Sequence, residues 1–187
     1  MILPVYAYGQ PVLKRVGEEI DANYENLDKL IANMWETMYN AHGVGLAAPQ
    51  IGLAIRIFLV DTVQVMEEGK EDDGIKKVFI NAEILEEEGE PWDYEEGCLS
   101  IPHLRGDVSR LPKIKIRYQD EQFKEHIEEF DGTNARVIQH EYDHIEGVLF
   151  TEKLKPLKRR MMQRKLDAIK KGNVSADYKM KFKKFRR

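Results

Sequence analysis

Thr133-Asn134-Ala135-Arg136-Val137-Ile138-Gln139-His140-Glu141-Tyr142-Asp143-His144-Ile145-Glu146 is the stretch on which the fold of this chain turns. Thr133 follows Asp131-Gly132 and can cap a helix that runs to about Glu146, where Gly147 stops it. Within that helix His140 and His144 are four apart. Both imidazoles therefore leave one face and can converge on a single cation, with Glu141 beside them as a base. A solvated helix surface could carry the same residues. The flanks argue otherwise, because Val137, Ile138, Ile145, Val148 and Leu149 are apolar and bury part of the helix. Buried imidazoles need partners.

Two ligands leave the chemistry open, and the third decides it. A metzincin-like continuation fits at Gly147 but needs a histidine where Phe150 stands. No glutamate follows Glu152, and Asp167 reads as part of a surface helix, which disfavours a protease with a downstream carboxylate ligand. Cys98, the single cysteine, remains, in Glu96-Gly97-Cys98-Leu99-Ser100. Alone it reads as a buried structural thiol. Joined to two imidazoles it completes three protein ligands and leaves a fourth position for water, the layout of a catalytic centre that lowers the pKa of that water. A lone cysteine also forms no internal disulfide and points to a reducing compartment.

Outward from the helix, Leu27, Leu30, Ile31, Met34, Trp35, Met38 and Tyr39 have helical spacing and predict an N-terminal helix over 26–40, with Asn26 as its cap. A glycine-rich turn over 43–52 leads into a buried strand over 55–60. Residues 67–74 read as a solvated loop, 78–81 and 82–85 as short strands, and 86–90 as an acidic run. Residues 113–118 alternate charged and apolar side chains, the pattern of a strand with one wet face, and should turn back into a partner near 123–130. A C-terminal helix over 156–171 carries an apolar stripe of Leu157, Met161, Met162, Leu166 and Ile169. Strands and helices do not alternate regularly, so the expected class is α+β: antiparallel sheets around a central metal-binding helix, flanked by N-terminal and C-terminal helices.

With 187 residues the chain suits one domain, expected over 1–171, followed by a flexible basic tail over 172–187. No apolar run is long enough for a membrane span, and the start lacks a signal peptide's basic flank and apolar stretch. The net charge of −4 hides an asymmetry. Residues 153–187 hold 15 Lys+Arg against Asp167 and Asp177, a balance of +13, so residues 1–152 carry −17. Two different electrostatic partners are implied.

Gly43-Val44-Gly45-Leu46-Ala47-Ala48-Pro49-Gln50, Glu96-Gly97-Cys98-Leu99-Ser100 and Gln139-His140-Glu141-Tyr142-Asp143-His144 resemble the three signature motifs of the peptide deformylases, in that family's order and spacing, and the likeness covers roughly residues 1–170. The resemblance implies a cytoplasmic enzyme that removes the formyl group from the N-terminal formyl-methionine of nascent polypeptides and releases formate. It implies Cys98, His140 and His144 as ligands of Fe2+, with Zn2+, Ni2+ or Co2+ able to substitute. It implies Glu141 as the proton carrier, and the Gln50 amide and Leu99 N–H as donors to the oxyanion. Gly43, Val44, Gly45 and Gly97 are expected to present backbone groups to an extended peptide. Val44, Leu99 and Val137 are expected to form the methionine pocket, with Arg136 on its polar rim. The likeness also implies that the basic C-terminal helix and tail contact the ribosome and its RNA.

Around these groups Asp143 is expected to pair with Arg110 or Arg105, and Glu96 to hold the cysteine loop through Arg105. His42 and His103 are left as loop residues and His126 as unpartnered. Two other readings remain open from the residues: a different Cys-His-His metallopeptidase or amidase, and a ribosome- or RNA-binding module acting through the basic end.

Overall fold

The computed structural model describes residues 1–184. Its central sheet explains why one short apolar run could be so continuous. Strand β3, Ile57–Asp61, is buried along its whole length. Phe58 and Val60 point to one face and Ile57 and Leu59 to the other, and each face is covered by a helix. Helix α1, Leu27–Asn40, packs Leu27, Ile31, Met34 and Met38 on the Ile57 and Leu59 face. Helix α2, Gly132–Ile145, packs Ala135, Ile138 and Ile145 on the Phe58 and Val60 face. A strand covered on both sides has no wet position to alternate with. Asn26 does precede α1, but it is left-handed and its side chain makes no capping bond.

The sheet has the order β2-β3-β4-β7-β8, with β2 Gly45–Ala47, β4 Lys76–Glu88, β7 Lys113–Gln119 and β8 Glu125–Asp131, and every pairing is antiparallel. β4 corrects the sequence reading. The acidic run does not end the strand but continues it to Glu88, because β7 offers its charged face opposite. Glu83 pairs with Arg117, Glu86 with Lys115 and Glu88 with Lys113, while Ile114, Ile116 and Tyr118 face inward. Cross-strand charge pairs make the acidic residues good strand formers here.

A second sheet was not legible as such: β5, Trp92–Cys98, and β6, Ile101–Arg110, form a hairpin whose tip holds Cys98 and Leu99. From Leu104 to Arg110 alternate residues of β6 are buried. Helix α3, Pro156–Lys170, lies against it through Met162, Leu166 and Ile169. The expected apolar stripe is narrower than read, since Leu157 and Met161 are both 71% exposed.

The described part of the basic tail makes contacts of its own. Residues Met180–Lys181 form β9, which pairs in parallel with β1, Val5–Tyr6, and Val174, Met180 and Phe182 pack on the α3 cluster. Apolar residues interleaved with the lysines give the segment something to bury. Phe185, Arg186 and Arg187 of that tail lie outside the described residues.

Candidate metal centre

Helix α2 has two working faces. Opposite its sheet-facing stripe it presents Arg136, His140 and His144, and the β5–β6 hairpin lowers Cys98 onto them. Cys98 Sγ lies 3.4 Å from His144 Nε2, and one donor atom from each of Cys98, His140 and His144 lies within 4.8 Å of the others. His140 Nδ1 bonds Glu96 Oε1 at 2.9 Å, which leaves Nε2 as its ligating nitrogen. His144 is 1% exposed, and its Nδ1 has no hydrogen-bond partner among the described residues. Burial is the main force that holds the His144 pKa well below the ordinary value, which favours the neutral ring that a metal ligand needs. A thiolate with two imidazoles is a donor set that suits Zn(II) or Fe(II), and the three atoms fit one ion.

Glu141 sits next to this group, 4% exposed, with Oε2 unpartnered among the described residues. Burial is the main force that pushes its carboxyl up to about 7. Such a group takes up and gives back a proton near neutrality. Its closeness explains Gly45: a Cβ there would collide with the Glu141 carboxylate. Gln50, 2% exposed, is oriented by the Ala47 N–H, which donates to Gln50 Oε1 at 2.9 Å. The amide NH2 is thereby aimed at the site, 3.5 Å from Cys98 Sγ and 3.2 Å from Ser100 Oγ.

A groove of about 970 Å³ opens over these residues. Gly43, Val44, Gly45, Gly97 and Leu99 line it together with Val137 of α2. Because β2 is an edge strand, its outer side is free to take another strand.

Several supporting roles differ from expectation. Arg136 is not a rim group: it is 2% exposed, donates to Glu96 Oε2 at 2.9 Å, to the Val108 carbonyl at 2.8 Å and to the Trp92 carbonyl at 2.7 Å, and lies over the Trp92 ring. Its apolar neighbours on both sides misled a reading by position. Glu96 is held by Arg110, through Nε at 2.7 Å and Nη2 at 3.0 Å, and not by Arg105, which turns outward to Glu95. Strand alternation decides this, since Arg110 is on the buried face of β6 and Arg105 on the exposed one. Of the two partners weighed for Asp143, Arg110 is the one found, at 2.8 Å. His126 is not unpartnered but bonds Asp120 at 2.7 Å. The Glu96–His140 bond and the contribution of Tyr178, whose hydroxyl donates to the Leu99 carbonyl at 2.7 Å, had not been foreseen. The buried acid beside Gly97-Cys98 was the one available signal for the first; a tyrosine in a lysine-rich tail gave none for the second.

A family model described as Polypeptide deformylase matches residues 2–160. The chain is 56% identical to a peptide deformylase of Flavobacterium johnsoniae and 53% identical to one of Christiangramia forsetii, each alignment covering 97% of this chain and 96% of the relative. Among solved structures it is similar to a plant peptide deformylase, with a TM-score of 0.82 at 32% identity over 91% of this chain and 90% of the other. The peptide deformylase of Thermus thermophilus is similar too, with a TM-score of 0.81 at 36% identity over 92% of this chain and 99% of the other. Three motifs on one groove, a family match over most of the chain and relatives that span its length agree: the chain belongs to the polypeptide deformylase family.

Proposed function

We propose a role for each residue in the reaction of this family, the metal-dependent hydrolysis of the formyl group from the N-terminal formyl-methionine of nascent polypeptides, which this chain catalyses. Cys98, His140 and His144 hold the metal, Fe2+ in the cell by the likeness of the motifs, with Zn2+, Ni2+ or Co2+ able to take its place. When bound there, the ion supplies a Lewis acid that makes water a nucleophile at neutral pH and polarises the formyl carbonyl. Glu141 takes the proton from the attacking water and delivers it to the departing amine. The Gln50 amide and the Leu99 N–H donate to the oxygen that becomes negative as water adds. Gly43, Val44, Gly45 and Gly97 present backbone groups to the peptide, which extends along the open edge of β2, and Val44, Leu99 and Val137 receive the methionine side chain. Main-chain pairing suits an enzyme that must accept many sequences.

The observation that carries this reading is the convergence of three ligand atoms beside a buried carboxylate whose Oε2 has no partner among the described residues. Formate release from formyl-Met-Ala, measured together with bound metal, tests it. Glu141→Gln should retain one metal per chain and lose turnover by about a hundredfold or more. Near-normal turnover with metal bound would remove Glu141 from this role. Another Cys-His-His peptidase or amidase is not favoured by the family match, and unformylated Met-Ala is the control substrate.

Two further assignments concern location. No helix among the described residues is long and apolar enough to cross a membrane, and the chain has one cysteine, which supports action in the reducing cytoplasm. The exposed cations of α3 and the basic segment after it support contact with ribosomal RNA. Residues 1–171 would then be the catalytic body.

A further inference from the structure

The hairpin tip that carries Cys98 and Leu99 needs support from outside itself. Cys98 pairs with Ile101, so Leu99 and Ser100 form a two-residue connection, yet neither has a positive φ. The turns that suit a two-residue hairpin require one or both residues there. Directly below the tip the partner jumps from Arg105 to Ile101, which leaves residues 102–104 without a strand partner and His103 at φ 65°. Three segments supply the missing bonds. Gln50 Nε2 donates to Ser100 Oγ at 3.2 Å, the Tyr8 N–H donates to the Ser100 carbonyl at 2.8 Å, and the Tyr178 O–H donates to the Leu99 carbonyl at 2.7 Å.

The third bond comes from a strap that is itself anchored on both sides. Upstream, His103 Nε2 donates to the Ser175 carbonyl at 2.6 Å. Downstream, Met180–Lys181 pair with Val5–Tyr6, and the Ala7 N–H donates to the Lys181 carbonyl at 3.0 Å. Between these anchors the strap lines the groove, with Asp177 3.9 Å from His42. The hydroxyl of Tyr178 is thus delivered to one carbonyl by a fixed piece of backbone.

We infer that Tyr178 is a positioning residue of the active site: by holding the Leu99 carbonyl, its hydroxyl steadies the two-residue tip that presents the Leu99 N–H. The inference rests on the role proposed above for that N–H as an oxyanion donor. The carbonyl and the N–H lie in adjacent peptide planes hinged at the Leu99 Cα, so loss of the Tyr178 bond frees the second plane and loosens the short tip from which the N–H points. The donor matters most when the carbonyl oxygen becomes charged, so its misalignment should be felt in turnover more than in substrate binding.

The test is Tyr178→Phe in the full, metal-loaded chain, assayed by formate release from formyl-Met-Ala-Ser with bound metal and melting temperature measured in parallel. Loss of one hydrogen bond of ordinary strength predicts a kcat lower by about tenfold, with KM within about twofold and metal content unchanged. A second variant, His103→Ala, keeps the hydroxyl but frees the strap at Ser175, and should show the same kcat-selective loss at smaller size. It decides the matter should Tyr178→Phe fail to fold. Wild-type kcat in the variants, or a loss of activity that tracks loss of metal or a rise in KM, overturns the inference. A wild-type chain that releases no formate would instead sink the functional reading on which it stands.

Discussion

Glu96 is the side chain outside the ligand set whose charge the fold uses most heavily, and Glu96→Gln tests that use. Its two oxygens receive four bonds: Arg110 Nε at 2.7 Å, Arg110 Nη2 at 3.0 Å, Arg136 Nη1 at 2.9 Å and His140 Nδ1 at 2.9 Å. Glu96 is 4% exposed, Arg110 7% and Arg136 2%. Glutamine keeps the shape, but one of its two terminal atoms becomes a donor that faces donors, and of the two buried guanidiniums only that of Arg110 keeps a carboxylate partner, Asp143. Removing one partner of a buried ion pair costs about 3–5 kcal/mol. For a chain of this size each kcal/mol moves the melting point by roughly 2–4 °C, so the variant should melt about 10 °C lower. The same substitution takes the carboxylate from His140 Nδ1–H, and loss of such a partner weakens metal binding by about 10–100-fold. The acid side gives an independent sign. Burial opposes the charge of Glu96, but hydrogen bonds from His140 and Arg110, with the charge of Arg110, outweigh it and hold the carboxyl far below the usual range. A carboxylate depressed in the folded state contributes stability that is complete above its unfolded pKa, roughly 4.3, and fades as the pH falls through the folded value. The wild type should therefore lose stability steeply below about pH 4, and Glu96→Gln less steeply. Glu95→Gln is the control: its bond to Arg105 is as short, 2.9 Å, yet both side chains are more than half exposed. Its effect should stay within about 1 kcal/mol. Melting curves from pH 2 to 8 and metal competition against a chelator measure all of this. A Glu96→Gln chain that melts within 2 °C of the wild type and binds metal within twofold would refute the reasoning.

Two further outcomes are expected. Gly45→Ala should cut turnover by about tenfold or more at unchanged metal content, because the added methyl displaces the Glu141 carboxylate, and a displacement of about 1 Å at a reacting group has large kinetic effects; steady-state formate release checks it. Replacing Lys158, Arg160 and Arg164, all exposed on α3, by glutamate should weaken ribosome binding and flatten its salt dependence by roughly one unit of slope for each phosphate no longer neutralised, while turnover of formyl-Met-Ala is unchanged; sedimentation with ribosomes at several salt concentrations checks it.

What could be read from the residues follows from the range of the forces involved. Periodicity is local, so α1, α2, α3 and the Lys113–Gln119 strand were legible, as were the three metal ligands, whose chemistry is narrow. The extension of β4 through Glu86 to Glu88 was not, because those glutamates become strand residues only beside Lys113, Lys115 and Arg117, some thirty residues away. The β5–β6 hairpin was hidden by its tip, where a two-residue turn without glycine, asparagine or aspartate gives no local signal. Arg136 was misread, and the contribution of Tyr178 missed, for the same reason. One is a cation inside the core and the other a tail aromatic inside the active site, and in each case the partner that justifies the placement lies far away in sequence.

The central helix shows why fold and site cannot be varied independently in this chain. Ala135, Ile138 and Ile145 lock α2 to the sheet, and a rotation of about 100° per residue then dictates where Arg136, His140 and His144 point. The cysteine arrives on a separate hairpin, so the distance between thiol and imidazoles is set by whatever holds hairpin to helix. That link is the buried cluster Glu96, Arg110, Arg136 and Asp143, which joins β5 and β6 to α2 by charge-assisted bonds at 2.7–3.0 Å. An apolar contact in its place would tolerate sliding, whereas bidentate and converging bonds specify one register. The polar core is in that sense the gauge of the metal centre: with the bonds from Arg136 to the Val108 and Trp92 carbonyls, it fixes the separation of ligands that come from two elements.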